Sequence, residues 1–324
     1  MPIFKKLTLG DIPALREYFS QSRGRGCDNT IGGVFMWRDF FCMEYAIICK
    51  TLVFKMKYLG GVTAFTVPLG TNTEEAIAEL AQFCLKENMP LIFCTATRED
   101  LPVISKKYEY TYTSEKDWAD YIYDAEELST FSGRKFNGQR NHINYFVNTY
   151  PDYTVLPVTE ENLPEITAFY EWFKEGTDDK GTPVFAEERR KVSEVLENFE
   201  AYGQQGCVVY AGGKVVAFAI GERVGDTLYV HIEKADASCR GAYPMIVREF
   251  VRMYDSCGVK YVNREDDSGD EGLRKSKLSY HPVDIVEKYT LTITPSLCTV
   301  TKKCCARARG CGNAGRGDAL GEPF

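Results

Sequence analysis

TLYVHIEKADASCRGAYPMIVREFVRMYDSCGVKY, residues 227–261 of a 324-residue chain, is the stretch that decides the fold. Leu228, Tyr229, Val230 and Ile232 make 228–233 a strand, because aromatic and branched side chains suit a pleated surface. Residues 238–243 read as a short turn, and the helix after it carries Pro244 in its first turn, where a missing N–H costs nothing. Gly258 follows that helix, a place for the left-handed residue that closes a last turn, and 260–263 is the next strand. Strand, tight turn and helix in this order leave backbone amides free at the helix start, a setting that suits an anion. A plain βαβ unit without a ligand fits the same pattern.

Outward from this unit, 207–210, 215–222 and 227–233 form a meander, with Gly212-Gly213 and Gly225-Asp226 as tight turns. Ahead of it come a strand at 153–158, a helix with Ile166, Phe169, Tyr170 and Phe173, and a helix at 187–201 with Val192, Val195, Leu196 and Phe199 inward. Behind it come a short helix at 273–278 and one or two strands in 283–294. This order in 151–295, β-α-α-β-β-β-α-β-α-β, is that of a GNAT acyltransferase domain.

The first half has a compatible order with softer edges. Asp11 and Pro13 start a helix in 9–20. Segments 46–56 and 62–68 read as a hairpin through Gly60-Gly61. Asn72 with Glu75 reads as a capping box for a helix to about 87, whose stripe is Ile77, Leu80, Ala81 and Cys84. Strands are expected at 90–95, 108–114 and 118–123, with a helix at 101–108; aromatic 35–41 fits either strand or helix. The fold expected is therefore α/β (α+β): tandem GNAT-like domains, 1–132 and 151–298, with mixed, mostly antiparallel sheets flanked by helices. A bridging helix in 133–150 joins them, and the Cys- and Gly-rich tail 299–324 reads as disordered.

Composition narrows the function. With 44% apolar and 26% charged residues the chain is globular. A net charge of −7 disfavours a sequence-independent grip on nucleic acid, so stable DNA binding is not expected. A local basic patch can still take a phosphate or a tRNA acceptor end. No apolar run reaches the length of a membrane span and no signal peptide is visible. The scattered cysteines then read as reduced thiols of a cytoplasmic protein. Three histidines do not favour a multi-histidine metal site, and the spacing of Asp266, Asp267, Asp270 and Glu271 is not that of a calcium loop.

Three blocks carry more than periodicity: GRKFNGQRNHIN at 133–144, HIEKADASCRGAY at 231–243 and YVNREDDSGDEGLRKSKLSY at 261–280, together with Glu287-Lys288-Tyr289. Over roughly residues 5–295 they resemble the C-terminal domain family of phosphatidylglycerol lysyltransferases, which includes free-standing soluble bacterial members and is similar to Fem-type aminoacyltransferases. The resemblance implies a tandem GNAT fold and an acyl or aminoacyl transferase. Membrane-bound relatives move lysine from lysyl-tRNA to a lipid hydroxyl, and their transmembrane portion has no counterpart in this sequence. The donors it implies are an aminoacyl-tRNA or an acyl-CoA, and the acceptor a small molecule or a lipid.

Transfer from an activated ester needs positioning, a proton acceptor and oxyanion stabilisation. Glu233 and Asp236 lie just beyond the central strand, and Glu265 and Asp266 end the next one. Carboxylates there can hold a donor α-ammonium or act as a base, and Glu233 with Asp266 is the preferred pair. Salt bridges to Lys234, Arg264, Arg274 and Lys275 are the structural alternative. Arg274, Lys275 and Lys277 can bind phosphate or carboxylate, or be a solvated helix face. Tyr280 stands where acyl-CoA enzymes often place a tyrosine general acid, or packs as a core residue; His231 reads as a satisfied sheet residue.

On the helix in 133–150, Asn137, Asn141, Asn144 and Asn148 share a face beside Arg134, Lys135 and Arg140. Asparagine is a weak helix former, so this face is a substrate-groove wall or a solvated surface. Arg140, Asn141 and Asn144 are its candidate binding residues. Arg240 and Gly241 begin an acyl-CoA-like turn, which bulky Tyr243 and Met245 then spoil. A non-catalytic binding protein with this fold is the third reading.

Overall fold

The computed structural model describes residues 1–177, 181–254 and 257–294; the tail 299–324 and Cys298 lie outside them. The strands are β1 (Lys5–Lys6), β2 (Glu44–Ile48), β3 (Thr51–Lys57), β4 (Thr63–Thr66), β5 (Ile92–Ala96), β6 (Tyr110–Ser114) and β7 (Asp120–Asp124). The second half adds β8 (Thr154–Pro157), β9 (Gln205–Ala211), β10 (Lys214–Val224), β11 (Thr227–Ala235), β12 (Tyr261–Asn263), β13 (Asp284–Val286) and β14 (Tyr289–Ile293). Helices α1 (Ile12–Phe19), α2 (Ile31–Trp37), α3 (Thr73–Lys86), α4 (Leu101–Ser105), α5 (Ala125–Thr130) and α6 (Asn137–Thr149) belong to the first part of the chain. Then come α7 (Leu163–Gly176), α8 (Pro183–Glu197), α9 (Phe199–Tyr202), α10 (Ala242–Arg252) and α11 (Glu271–Leu278).

Two seven-stranded sheets result, ordered β1-β2-β3-β4-β5-β14-β6 and β8-β9-β10-β11-β12-β7-β13. They match strand for strand. Each has an antiparallel meander, a crossover helix (α3 or α10) and then one parallel pair, β4 with β5 or β11 with β12. Each also takes in a strand from the other half: β14 lies between β5 and β6, and β7 lies between β12 and β13. The fold is mixed α/β and GNAT-like, with two mostly antiparallel sheets and flanking helices. A cut near residue 133 does not separate the sheets, because β7 belongs to the second.

Local chemistry explains several differences from the expected elements. The segment 46–56 is not one strand but the β2–β3 hairpin. Its turn residues Cys49 and Lys50 are both left-handed, at φ 51° and 62°, without the Asn-Gly signal that usually marks such a turn. The Asn72–Glu75 capping box is absent. Asn72 instead donates to the Cys49 carbonyl at 2.9 Å, tying α3 to that hairpin. The stripe itself holds, with Ala76, Ile77, Leu80 and Cys84 buried. Of aromatic 35–41, residues 35–37 end α2 and 38–41 form the turns after it; the start of α2 is capped by Thr30 accepting from the Gly33 N–H.

The halves are stitched together where the two exchanged strands begin. Lys288, just before β14, places its ammonium 2.7 Å from Asp120 of β7 and 2.7 Å from Asp28. Asp120 also accepts from the Cys27 amide (2.7 Å) and the Asn263 side chain (2.9 Å). Cys27, Asp28 and Asp120 have the proximity of a metal cluster, but the Lys288 ammonium already sits among their ligand atoms.

Candidate active site at the splayed strands

β11 and β12 pair only from Thr227 to Tyr229, opposite Tyr261 to Asn263, and β11 runs on to Ala235. Beyond Asn263 the chain leaves the ladder, so the two strands part. At this splay stand Glu233 on β11 and Glu265 and Asp266 in the loop after β12. Their side chains are only 14%, 22% and 16% exposed. The loop is held in an unusual shape. Glu265 and Ser268 are left-handed at φ 58° and 48°, which non-glycine residues sustain only when their surroundings over-determine them.

Those surroundings are specific. The Glu265 amide donates to Asn263 Oδ1 (2.6 Å), and the Glu265 carbonyl accepts from Tyr121. Lys277 donates to the carbonyls of Arg264 and Asp266, and burial lowers its pKa. Asp267 is buried and gripped by both forks of Arg274 at 2.8 Å, and it accepts from the Tyr121 hydroxyl at 2.6 Å. Arg274 and Lys277, candidates for binding a phosphate or carboxylate or for a solvated face, here bond the loop itself; Lys275 is exposed on α11.

Glu233 is paired with Arg264 at 2.7 Å. The Arg264 guanidinium lies 4.5 Å from the Tyr280 ring and 5.6 Å from that of Tyr123, and its Nη1 is buried without a hydrogen-bond partner. Tyr280 is buried against Phe131, and burial raises its pKa, so the phenol stays protonated. Glu233 and Tyr280 therefore meet on one arginine. Asp266 stands apart from them: it accepts from the Ser268 amide and hydroxyl, both at 2.9 Å, and lies 3.8 Å from Lys288.

The α10 turn is covered. Gly241, at φ 95°, faces α6 so closely that a Cβ there would lie 2.3 Å from the His142 carbonyl oxygen. The Ala242 amide is already bonded to Cys239. Asp236 caps this turn by accepting from Ser238 (2.8 and 2.6 Å), and Arg240 stacks 4.6 Å over Tyr145. Tyr243 is 38% exposed and Met245 is in the core, so α6, not these two side chains, closes the turn. On α6, Asn137, Asn141, Asn144 and Asn148 are all exposed. Arg140 turns back to donate to the carbonyls of Phe131 and Gly133 at the end of α5.

Residues 19–292 match the family of the phosphatidylglycerol lysyltransferase C-terminal domain. The chain belongs to this family. A similar solved structure is a conserved protein of unknown function from Bacteroides thetaiotaomicron, 37% identical, covering 91% of this chain and all of that one, with a TM-score of 0.81. L-PGS from Bacillus licheniformis is 16% identical over 89% of this chain and 94% of its own, with a TM-score of 0.61. FemX is 11% identical over 90% and 97%, with a TM-score of 0.57. At these identities the last two show a shared fold. An uncharacterised protein of Mycoplasmoides gallisepticum is 22% identical over 196 residues, 60% of this chain and 62% of that relative's length. Among the described residues of this family member, no helix is long and apolar enough to cross a membrane.

Several residues of the site carried no signal of their own in the sequence. His231 lies between two carboxylates, 2.7 Å from Glu265 and 3.0 Å from Glu222. Glu222 in turn accepts from the Gly32 amide of α2 at 2.6 Å, across 190 residues. Cys27 and Asp28, which meet Lys288 beside the site, come from the segment between α1 and α2, where no motif marks them. Lys288 was visible only inside the Glu287-Lys288-Tyr289 block.

A cavity of about 540 Å³ opens at the far end of the first sheet, lined by Lys6, Met43, Lys55, Met56, Phe83 and Met89 among others. It lies at the end of β3 and the start of β4, away from the strand ends that splay.

Proposed function

We propose that this protein is an aminoacyltransferase that receives the α-ammonium of an aminoacyl ester at the β11–β12 splay. The observation that carries the reading is the set of partly exposed carboxylates, Glu233, Glu265 and Asp266, on parted strand ends over buried cations. An ammonium entering the splay exchanges water for charge-assisted hydrogen bonds, and a carboxylate beside it can take the proton that the attacking group loses. The reading extends to aminoacyl-tRNA as donor and to a small molecule or a lipid as acceptor. The covered α10 turn weighs against acyl-CoA, because a pyrophosphate there would have to displace α6.

One feature favours a binding protein without turnover: Glu233 is already neutralised by Arg264. The two readings separate in one assay. The full chain is incubated with tRNA charged with radiolabelled lysine or alanine, together with hydroxyl- and amine-bearing acceptors including phosphatidylglycerol vesicles. Release of label from tRNA into a new product, lost in Glu265→Gln, supports transfer. Stabilisation by acetyl-CoA without any response to charged tRNA would sink the proposal.

A further inference from the structure

We propose that His231 is the positioning residue of the splay, donating from both ring nitrogens so that Glu265 is held at its mouth and coupled through Glu222 to α2 of the first half. This rests on the aminoacyl reading of the splay and adds the device that keeps it assembled.

The geometry makes the histidine a connector of three elements. Its ring is fully buried on β11 and lies parallel to the Tyr229 ring at 6.5 Å. Nδ1 faces Glu265 on the left-handed loop, and Nε2 faces Glu222 on β10. A carboxylate only accepts, so both nitrogens must carry protons for both contacts to be hydrogen bonds. The ionisable groups facing the ring are therefore Glu222, Glu265 and Tyr229, while Gln204 and α2 bring an amide and Gly32. The α2 helix approaches because residue 32 is glycine. A Cβ there would lie 2.2 Å from His231 Cδ2 and 2.5 Å from the Gln204 amide nitrogen. The same Glu222 carboxylate oxygen that meets His231 accepts the Gly32 amide.

A neutral imidazole would donate to only one of the two carboxylates and oppose the other with a lone pair. Glu265 would then lose its anchor, and its left-handed backbone would lose one of the constraints that sustain it. Because Asp266 follows Glu265 directly, the loop's second carboxylate moves with it. Protonation favoured by the two carboxylates pushes the His231 pKa up to about 9, against the opposing effect of burial. The imidazolium consequently persists through neutral pH.

The test uses the full chain, lysinamide and alaninamide as ammonium probes, and ¹⁵N-histidine spectra. Both His231 nitrogens should carry protons at pH 7.5, and wild-type affinity for the protonated form of each probe, corrected for the probe's own α-amino titration, should stay level from pH 6.5 to 8. His231→Gln should weaken probe binding about tenfold or more, the scale of a lost charged hydrogen bond. If that variant does not fold, Glu222→Gln replaces it. With one anion gone, the imidazole should deprotonate at lower pH, and affinity for the protonated probe should fall between pH 7 and 8 where that of the wild type does not, a change that a merely structural role would not produce. A neutral imidazole at pH 7.5 overturns the proposal, as does unchanged and pH-independent probe affinity in the variants. Failure of the wild type itself to bind either probe overturns the aminoacyl reading instead.

Discussion

The ends of β4 and β5 and the ends of β11 and β12 are equivalent places in two sheets of the same order, and they are closed in different ways. In the first sheet an arginine from outside the sheet seals the gap. Arg23 donates to Asp100 (3.0 Å), to the Pro68 carbonyl (2.9 Å) and to Thr73 on α3 (2.5 Å). It thereby cross-links the end of one strand, the start of the crossover helix and the end of the next strand. Asp100 completes the closure by accepting from the Thr97 amide and hydroxyl at 3.0 and 3.1 Å. In the second sheet the arginine belongs to the splay itself, and Arg264 reaches Glu233 with one nitrogen while another stays unpaired. A left-handed residue stands at both places, Thr95 (φ 53°) and Glu265 (φ 58°), but the arginine of the first is paired on every side whereas the second splay is acidic and incompletely paired. A buried donor left without a partner is costly, and such positions concentrate where a protein binds or reacts.

The widest perturbation of this comparison is Lys288→Ala, because Lys288 stitches both halves where their exchanged strands begin. It would leave the buried Asp120 and its neighbour Asp28 without their cation. Removing one partner from a buried pair costs about 3–5 kcal/mol. The urea-unfolding midpoint should fall accordingly, and a shift no larger than that of a surface substitution would show that the stitch is not needed.

A paired experiment then tests whether the two splays differ in role. Arg23→Ala removes hydrogen bonds between charged and polar groups, a loss of about 1.5–3 kcal/mol for a charged bond, and should leave lysinamide affinity unchanged. Arg264→Ala removes one such bond and frees Glu233, so it should change the affinity for the probe as well as stability. Equal effects of the two variants on probe binding would mean that the two splays do not differ in role.

What the sequence could show follows from the range of each interaction. The β11–α10–β12 unit was legible because strand alternation, Pro244 and Gly258 are local signals. Glu233 and Asp266 were legible as candidates because a strand end is a local feature. The exchange of β7 and β14 was not: a strand's residues encode how it is buried, and the identity of its neighbour is decided by the rest of the chain. Likewise nothing near His231 announces that Glu222 and Gly32 converge on it. For Arg274 and Lys277 the basic pattern left an anion site and an ion-paired or solvated face open, because the loop carbonyls and the buried aspartate they bond are brought to them only by the fold.

A smaller effect comes from pH. The folded-state pKa of His231 is raised to about 9 from an ordinary 6.5. A raised pKa means that the folded state binds the proton more tightly, so the associated stability is fully present below about pH 6.5. It is lost progressively as pH rises to 9 and beyond, and is worth a few kcal/mol at most. Comparing wild type with His231→Gln by urea unfolding at pH 6 and pH 9 isolates this contribution from other titrating groups. The stability gap should narrow at the higher pH; a constant gap would mean that His231 is neutral in the folded protein.

The smallest effect is expected on α6. Asn141 and Asn144 stand on its exposed face, while Ile143 and Phe146 on the other side hold it to α10. Asparagine to alanine also improves helix propensity by a few tenths of a kcal/mol, so Asn141→Ala/Asn144→Ala should be neutral or slightly stabilising. Probe binding at the splay should not change, since α6 meets the second half at the α10 turn and, through Gln139, at the Ser279 carbonyl, and not through Asn141 or Asn144. A large loss of transfer from charged tRNA, with lysinamide affinity intact, would reveal that this face meets the nucleic acid. The aminoacyl group and the body of its carrier would then be read by different surfaces, with the strand splay taking only the first.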